Sequence, residues 1–169
     1  VLKDRASDSK KHSASLSFTG PDSTLIYIPV QLQTRGNFRR LKENCNYPPL
    51  WFHFGKTDST ADYVFKDQKK TKLVMPCLDD DYVIREWLVY KLHNLVTPLS
   101  FRARLVKVQF EDPALRRTPA AFYAFLLEEE KQMAKRNNML AVEQKIRPEQ
   151  TQTADFLMTS VFEYLVGNT

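Results

Sequence analysis

The feature that most constrains this chain is residues 72–95, KLVMPCLDDDYVIREWLVYKLHNL, where a short apolar strand runs into the most strongly patterned helix. Leu73, Val74 and Met75 supply the strand. Ile84, Leu88, Leu92 and Leu95 recur at helical spacing and share one face, which Val83 and Trp87 widen. Asp79, Asp80 and Asp81 place negative charge at the helix start, where it suits the positive end of the backbone dipole. Glu86 falls on the other side, near Val89 and His93. That second side is not purely polar, so both sides are candidates for cover. A strand lysine, Lys72, followed about fourteen residues later by a helix glutamate, Glu86, is one way to hold a phosphate. The ammonium contacts phosphate oxygens and the carboxylate keeps the ammonium in place. The plainer alternative is a strand–helix unit of a basic protein that carries a Lys and a Glu without pairing them.

A chain of 169 residues suits one domain with a real core, and its apolar fraction of 43% is ordinary for a soluble fold. No apolar run is long enough for a transmembrane helix. The opening VLKDRASDSKKHSAS lacks the apolar centre of a signal peptide, and the missing Met allows for a removed upstream segment. The net charge of +5 permits an anionic partner without identifying one. Cations and acids are interspersed, which argues against nucleic acid. Cys45 and Cys77 lie in no CxxC pair and have no His at zinc-ligand spacing, so no metal site is expected. In a cytoplasmic protein they read as two buried thiols. In an exported or periplasmic one they read as a single disulfide. The sequence leaves the compartment open.

Residues 1–13 are polar and charged and are expected to be loose. A short strand is expected at 15–18, followed by the turn Gly20-Pro21-Asp22. Residues 24–34, TLIYIPVQLQT, read as a strand in which Pro29 calls for an edge position or a bulge. Arg35-Gly36-Asn37-Phe38-Arg39-Arg40 breaks the pattern. It reads either as an anion-gripping turn or, more simply, as a surface turn with solvated arginines. Residues 50–54 are a strand with Trp51 and His53 on one face and Phe52 and Phe54 on the other. A short strand is expected at 63–65 and another at 71–75.

Thr97-Pro98 ends the central helix, and residues 100–110 have strand composition. Residues 121–127, AFYAFLL, are apolar on both faces and read as a buried central strand. The loop before it is short for a crossover, so the pair is expected to be antiparallel. Glu128, Glu129 and Glu130 open a polar helix that runs to about Arg136. At least two of the three read as acids at a solvated helix start, and the functional alternative is a linker at a nucleotide pocket. A last helix at 155–166 carries the stripe Leu157, Met158, Val161, Phe162 and Leu165, capped by Thr153 or Asp155 and ended by Gly167. The order predicts an α+β fold, a mainly antiparallel sheet with one packed helix and further helices at the C-terminal end.

The runs RGNFRR…PPLWFHF, KLVMPC…YVIREWLVYKLHN, SFRARLVKVQFED…FYAFLLEEEKQMAKR and FEYLVGNT resemble a group of uncharacterised bacterial proteins. That group looks like a distant branch of the spore-coat CotH kinase-like family, and the resemblance spans residues 24–169. It implies a protein-kinase-like N-lobe over 14–130, with a five-stranded-type sheet. Residues 131–169 would be the linker and first helix of an incomplete C-lobe. It further implies that Lys72 holds ATP phosphates and Glu86 is its helix partner. The turn with Arg35 and Arg39 would face the phosphates. The chain has no GxGxxG, VAIK, HRD or DFG. In the family an Asp-Trp pair follows Gly-Asn-Thr, and a later His-Asn and Asp complete the catalytic and Mg²⁺-binding set. The resemblance places those beyond Thr169 and implies little activity for these residues alone. The function it implies is the nucleotide-binding lobe of an ATP-dependent phosphotransferase acting on an unidentified substrate, with protein a candidate. The alternative is a non-catalytic binding or envelope-associated structural module on the same scaffold. A third reading, a polyanion-binding surface built from Arg35, Arg39, Arg40, Arg102 and Arg104, predicts steep salt dependence.

Overall fold

A computed structural model of the chain describes residues 1–55, 65, 68–77, 79–112 and 118–167. The strand expected at 63–65 lies largely outside the described residues. Six strands form one antiparallel sheet: β1 (His12–Thr19), β2 (Leu25–Thr34), β3 (Leu50–Phe54), β4 (Lys70–Val74), β5 (Ala103–Val108) and β6 (Phe122–Leu127). Their order is β1-β2-β3-β4-β6-β5, so the last strand in the chain sits inside the sheet and β5 takes the edge. The family likeness implied a five-stranded-type sheet, and the described sheet has six strands. Among the described residues three α-helices join the sheet: α1 (Asp80–Val96) between β4 and β5, then α2 (Glu130–Arg136) and α3 (Thr153–Leu165).

Alternation decides which side chains go where. On β3, Leu50, Phe52 and Phe54 are buried while Trp51 and His53 are half-buried on the opposite face. The first core joins those three to Ile28, Val30 and Leu32 of β2, to Leu73 and Met75, and to Phe122 and Ala124 of β6. The second core lies on the other face under α1, where Val74, Ala103, Phe125 and Leu127 meet Val83, Trp87 and Tyr90. Pro29 opposes Ser15 of β1, but pairing of β2 with β3 begins only at Val30. Its missing N–H therefore falls where β2 has a single neighbour, the edge-like position its ring requires.

Helix α1 starts where its acids predict: the Asp79 side chain accepts a hydrogen bond from the Tyr82 N–H at 3.2 Å. Its packed face differs from the expected stripe. Val83, Trp87 and Tyr90 meet the sheet, whereas Leu88, Leu92 and Leu95 are exposed, Leu95 by 85%. The helix is apolar most of the way round, so spacing alone does not rank its faces. The aromatic bulk of Trp87 and Tyr90 against Phe101 and Phe125 does. The α3 stripe is also exposed at Leu157, Val161 and Leu165, although Phe162 stacks on His93 of α1 with ring centroids 4.7 Å apart. Its first residue is Thr153, preceded by Gln152 with no side-chain cap, and Gly167 follows at φ +72°.

The first residues are tied down rather than loose. Val1 and Leu2 pack on the first core. The Arg5 guanidinium donates to the carbonyls of Arg40, Cys45 and Asn46 at 3.1, 2.9 and 2.6 Å. Ser9 donates to the Thr34 carbonyl, and the Thr34 hydroxyl donates to the Asp4 carbonyl. A polar segment can be ordered without a core of its own when it satisfies another segment's carbonyls. Cys45 and Cys77 form a disulfide. It joins the segment after the arginine turn to the entrance of α1, where the Asn46 N–H also donates to the Cys77 carbonyl. Among the described residues no helix is long and apolar enough to cross a membrane.

Candidate functional site

The site grows from the face of the sheet that α1 only partly covers. Lys70 and Lys72 are two residues apart on β4 and share that face with Val74. Trp51 of β3 lies directly opposite Lys72 in the register, and Leu127 of β6 lies on its other side. Arg35 follows the end of β2, its N–H donating to the Pro49 carbonyl at 2.9 Å. Gly36, at φ +85°, then turns the chain in a way a side-chain-bearing residue resists. Three cations converge on one indole as a result. Lys70, Arg35 and Lys72 stand 4.5, 4.9 and 5.5 Å from the Trp51 ring.

Two carboxylates from the turn after β6 answer them. Lys72 is ion-paired with Glu130, and Lys70 lies 3.2 Å from Glu129. Glu128 pairs with Arg136 at 2.9 Å. All three acids are therefore engaged, and none is merely a solvated acid at a helix start. The side chain of Lys72 is 6% exposed, and burial holds its ammonium below the ordinary lysine range, with Glu130 working against that. Burial also depresses the Arg35 guanidinium. Its Nε is buried and has no hydrogen-bond partner. Burial pushes the Glu130 carboxyl up, but the hydrogen bond and charge of the Lys72 ammonium bring it below the usual carboxylate range.

Glu86 does not hold Lys72. It is paired with Arg39 at 2.8 Å, both half-buried. The geometry of the turn explains the exchange. Gly36 and the Cys45–Cys77 bond bring the Arg39 segment to α1, while β6 pairs with β4 and delivers Glu130 beside Lys72. Burial raises the Tyr90 phenol, which also feels Glu86, Arg39, Arg35 and Glu130. Of the four residues singled out from the sequence, Arg39 and Glu86 pair with each other, Lys72 pairs with Glu130, and Arg35 meets Lys72 at the Trp51 ring. Arg39, Glu86 and Tyr90 also line a groove of about 580 Å³ between α1 and α3.

Trp51, Lys70, Glu129 and Glu130 complete the cluster; sequence reasoning gave Trp51 and Lys70 no role in it and offered the acids only as a linker at a nucleotide pocket, not as partners of the lysines. Alternation does put Trp51 on the outer face of β3 and Lys70 on the face of Lys72. What was missing was the insertion of β6 next to β4, which places Glu129 and Glu130. Among the described residues no group of three or more His, Cys, Asp or Glu is placed to hold a metal ion.

Comparison of the chain with protein-family models, with curated proteins and with solved structures found no match. The cluster must therefore be interpreted on its own chemistry. It can hold an anion at Arg35 and Lys72 against an aromatic wall. It offers no nucleophile–base pair of its own.

Proposed function

We propose that this domain binds the phosphates of a nucleotide at Arg35 and Lys72, as the N-lobe-like part of a CotH-like ATP-dependent phosphotransferase. The observation that carries the reading is Arg35. Its guanidinium stands 4.9 Å from the Trp51 ring, and its buried Nε has no hydrogen-bond partner among the described residues. A buried N–H of a cation left without an acceptor is costly unless something anionic completes it. Lys72 stands beside it at the same indole, so two cations can share one phosphate group. An α1 packed on β5 and β6, beside the strand that carries Lys72, also supports the N-lobe reading.

A bound nucleotide triphosphate would supply the transferable phosphoryl group. The residues of this chain would bind and orient it, and the acceptor-activating and Mg²⁺-binding groups are not among those this reading assigns to it. Arg39 and Glu86 shape the adjoining groove rather than the phosphate contact. The Cys45–Cys77 disulfide supports an exported or envelope setting. Calorimetric titration with ATP and with pyrophosphate tests the reading. Binding should be lost in Lys72→Met and in Arg35→Met, each shown folded by circular dichroism. No binding by the wild type, or equal binding in all three, would reject it.

The second reading is a non-catalytic binding or structural module. It is favoured by the fact that Lys70 and Lys72 already have carboxylate partners within the chain. The same titration separates the two.

A further inference from the structure

We infer that Glu130 is a stand-in for the ligand: in the free protein its carboxylate occupies the place on Lys72 that a phosphoryl group takes. The inference rests on the phosphate-binding reading above and adds the charge a ligand must bring. Glu129 and Glu130 are adjacent in sequence but differently held. The Glu129 side chain is 6% exposed and Glu130 is 49% exposed. Glu129 is therefore fixed in the protein, whereas Glu130 has solvent on one side and can swing into it without burying a new charge. Lys72, by contrast, is buried and cannot stay unpaired. A partner that leaves and a partner that arrives must exchange at the same ammonium.

The charge count follows from the same pairs. Arg35, Lys70 and Lys72 face Glu129 and Glu130 around Trp51, which is three positive charges against two negative. Once Glu130 swings out, three face one, and the vacancy suits a dianionic group. A phosphoryl group carries about two charges near neutral pH. A carboxylate carries one and regains only what Glu130 already provides. The site therefore selects terminal phosphates over carboxylates by competition with its own side chain.

The test compares pyrophosphate affinity by calorimetry in the wild type, Glu130→Gln and Glu130→Asp. The Asp variant keeps the charge but is one methylene shorter and no longer reaches Lys72. Removing a charge-assisted contact from the competing state should tighten pyrophosphate about tenfold in both variants. Acetate should bind the wild type no better than it binds Lys72→Met. Weaker or equal binding in both variants would overturn the inference, because Glu130 would then orient Lys72 or do nothing. A gain in the Gln variant alone would also overturn it, leaving only a general charge effect. Failure of all three proteins to bind pyrophosphate would instead reject the phosphate site and the stand-in with it.

Discussion

Lys72 and Glu130 lie 58 residues apart in the chain and meet in one ion pair whose halves see different surroundings. The ammonium is buried and the carboxylate is half exposed. Deleting either partner should therefore have unequal effects on stability. Glu130→Gln leaves a buried cation with only a neutral acceptor and should cost about 1–3 kcal/mol. Lys72→Met leaves a carboxylate that water can reach and keeps an apolar stem beside the Trp51 and Phe101 rings, so its cost should be smaller. Urea denaturation of both variants checks the asymmetry, and a larger loss in Lys72→Met would contradict it.

The pair also sets a pH dependence with a definite sign. Glu130 titrates below its ordinary value of 4.5 in the folded state. Its contribution is complete above that value and is lost as pH falls through the folded pKa. Lys72 titrates below its ordinary 10.5, so its contribution to stability rises as pH climbs from the folded pKa toward 10.5. Denaturation midpoints followed into acid should fall less steeply in Glu130→Gln than in the wild type. Parallel curves would show that the carboxylate has no linkage to folding.

The Cys45–Cys77 bond closes a loop of 32 residues that contains β3 and β4. Constraining an unfolded loop of this length stabilises the fold by roughly 2–4 kcal/mol. The Cys45→Ser, Cys77→Ser double variant should lose about that much, and reductant should bring the wild type to the same melting temperature. A melting temperature indifferent to reductant would mean the bond does not form in solution.

Gly36 offers a test of the turn that carries the arginines. At φ +85° a side chain is strained, yet among the described residues nothing lies within 4 Å of where a Cβ would stand. Gly36→Ala should therefore cost about 1 kcal/mol from backbone conformation alone. Because Arg35 precedes the glycine, pyrophosphate affinity should fall along with the melting temperature. Unchanged affinity with lowered stability would separate the turn from the site.

Much of the fold was legible because its strands obey a two-residue period. The alternation of β3, the doubly apolar β6 and its antiparallel pairing with β5 could all be read from residues 50–54 and 121–127. The α1 stripe was misleading, since Leu88, Leu92 and Leu95 match helical spacing as well as Val83, Trp87 and Tyr90 do. The N-terminal segment looked loose because its order comes from hydrogen bonds to distant carbonyls, which leave no local pattern. The partner of Lys72 was missed for a topological reason. Helical proximity suggested Glu86, but pairing of β6 with β4 brought Glu130 across a separation that periodicity does not report.

That strand order has a consequence for synthesis. The meander β1 to β4 can pair each strand with its predecessor as the nascent chain leaves the ribosome. β5 emerges with no neighbour, because its one partner, β6, follows it. Until residue 127 has emerged β4 presents an open edge, and until residue 130 has emerged Lys72 waits without its carboxylate, so the unfinished polypeptide is a natural client for a chaperone that covers bare strands.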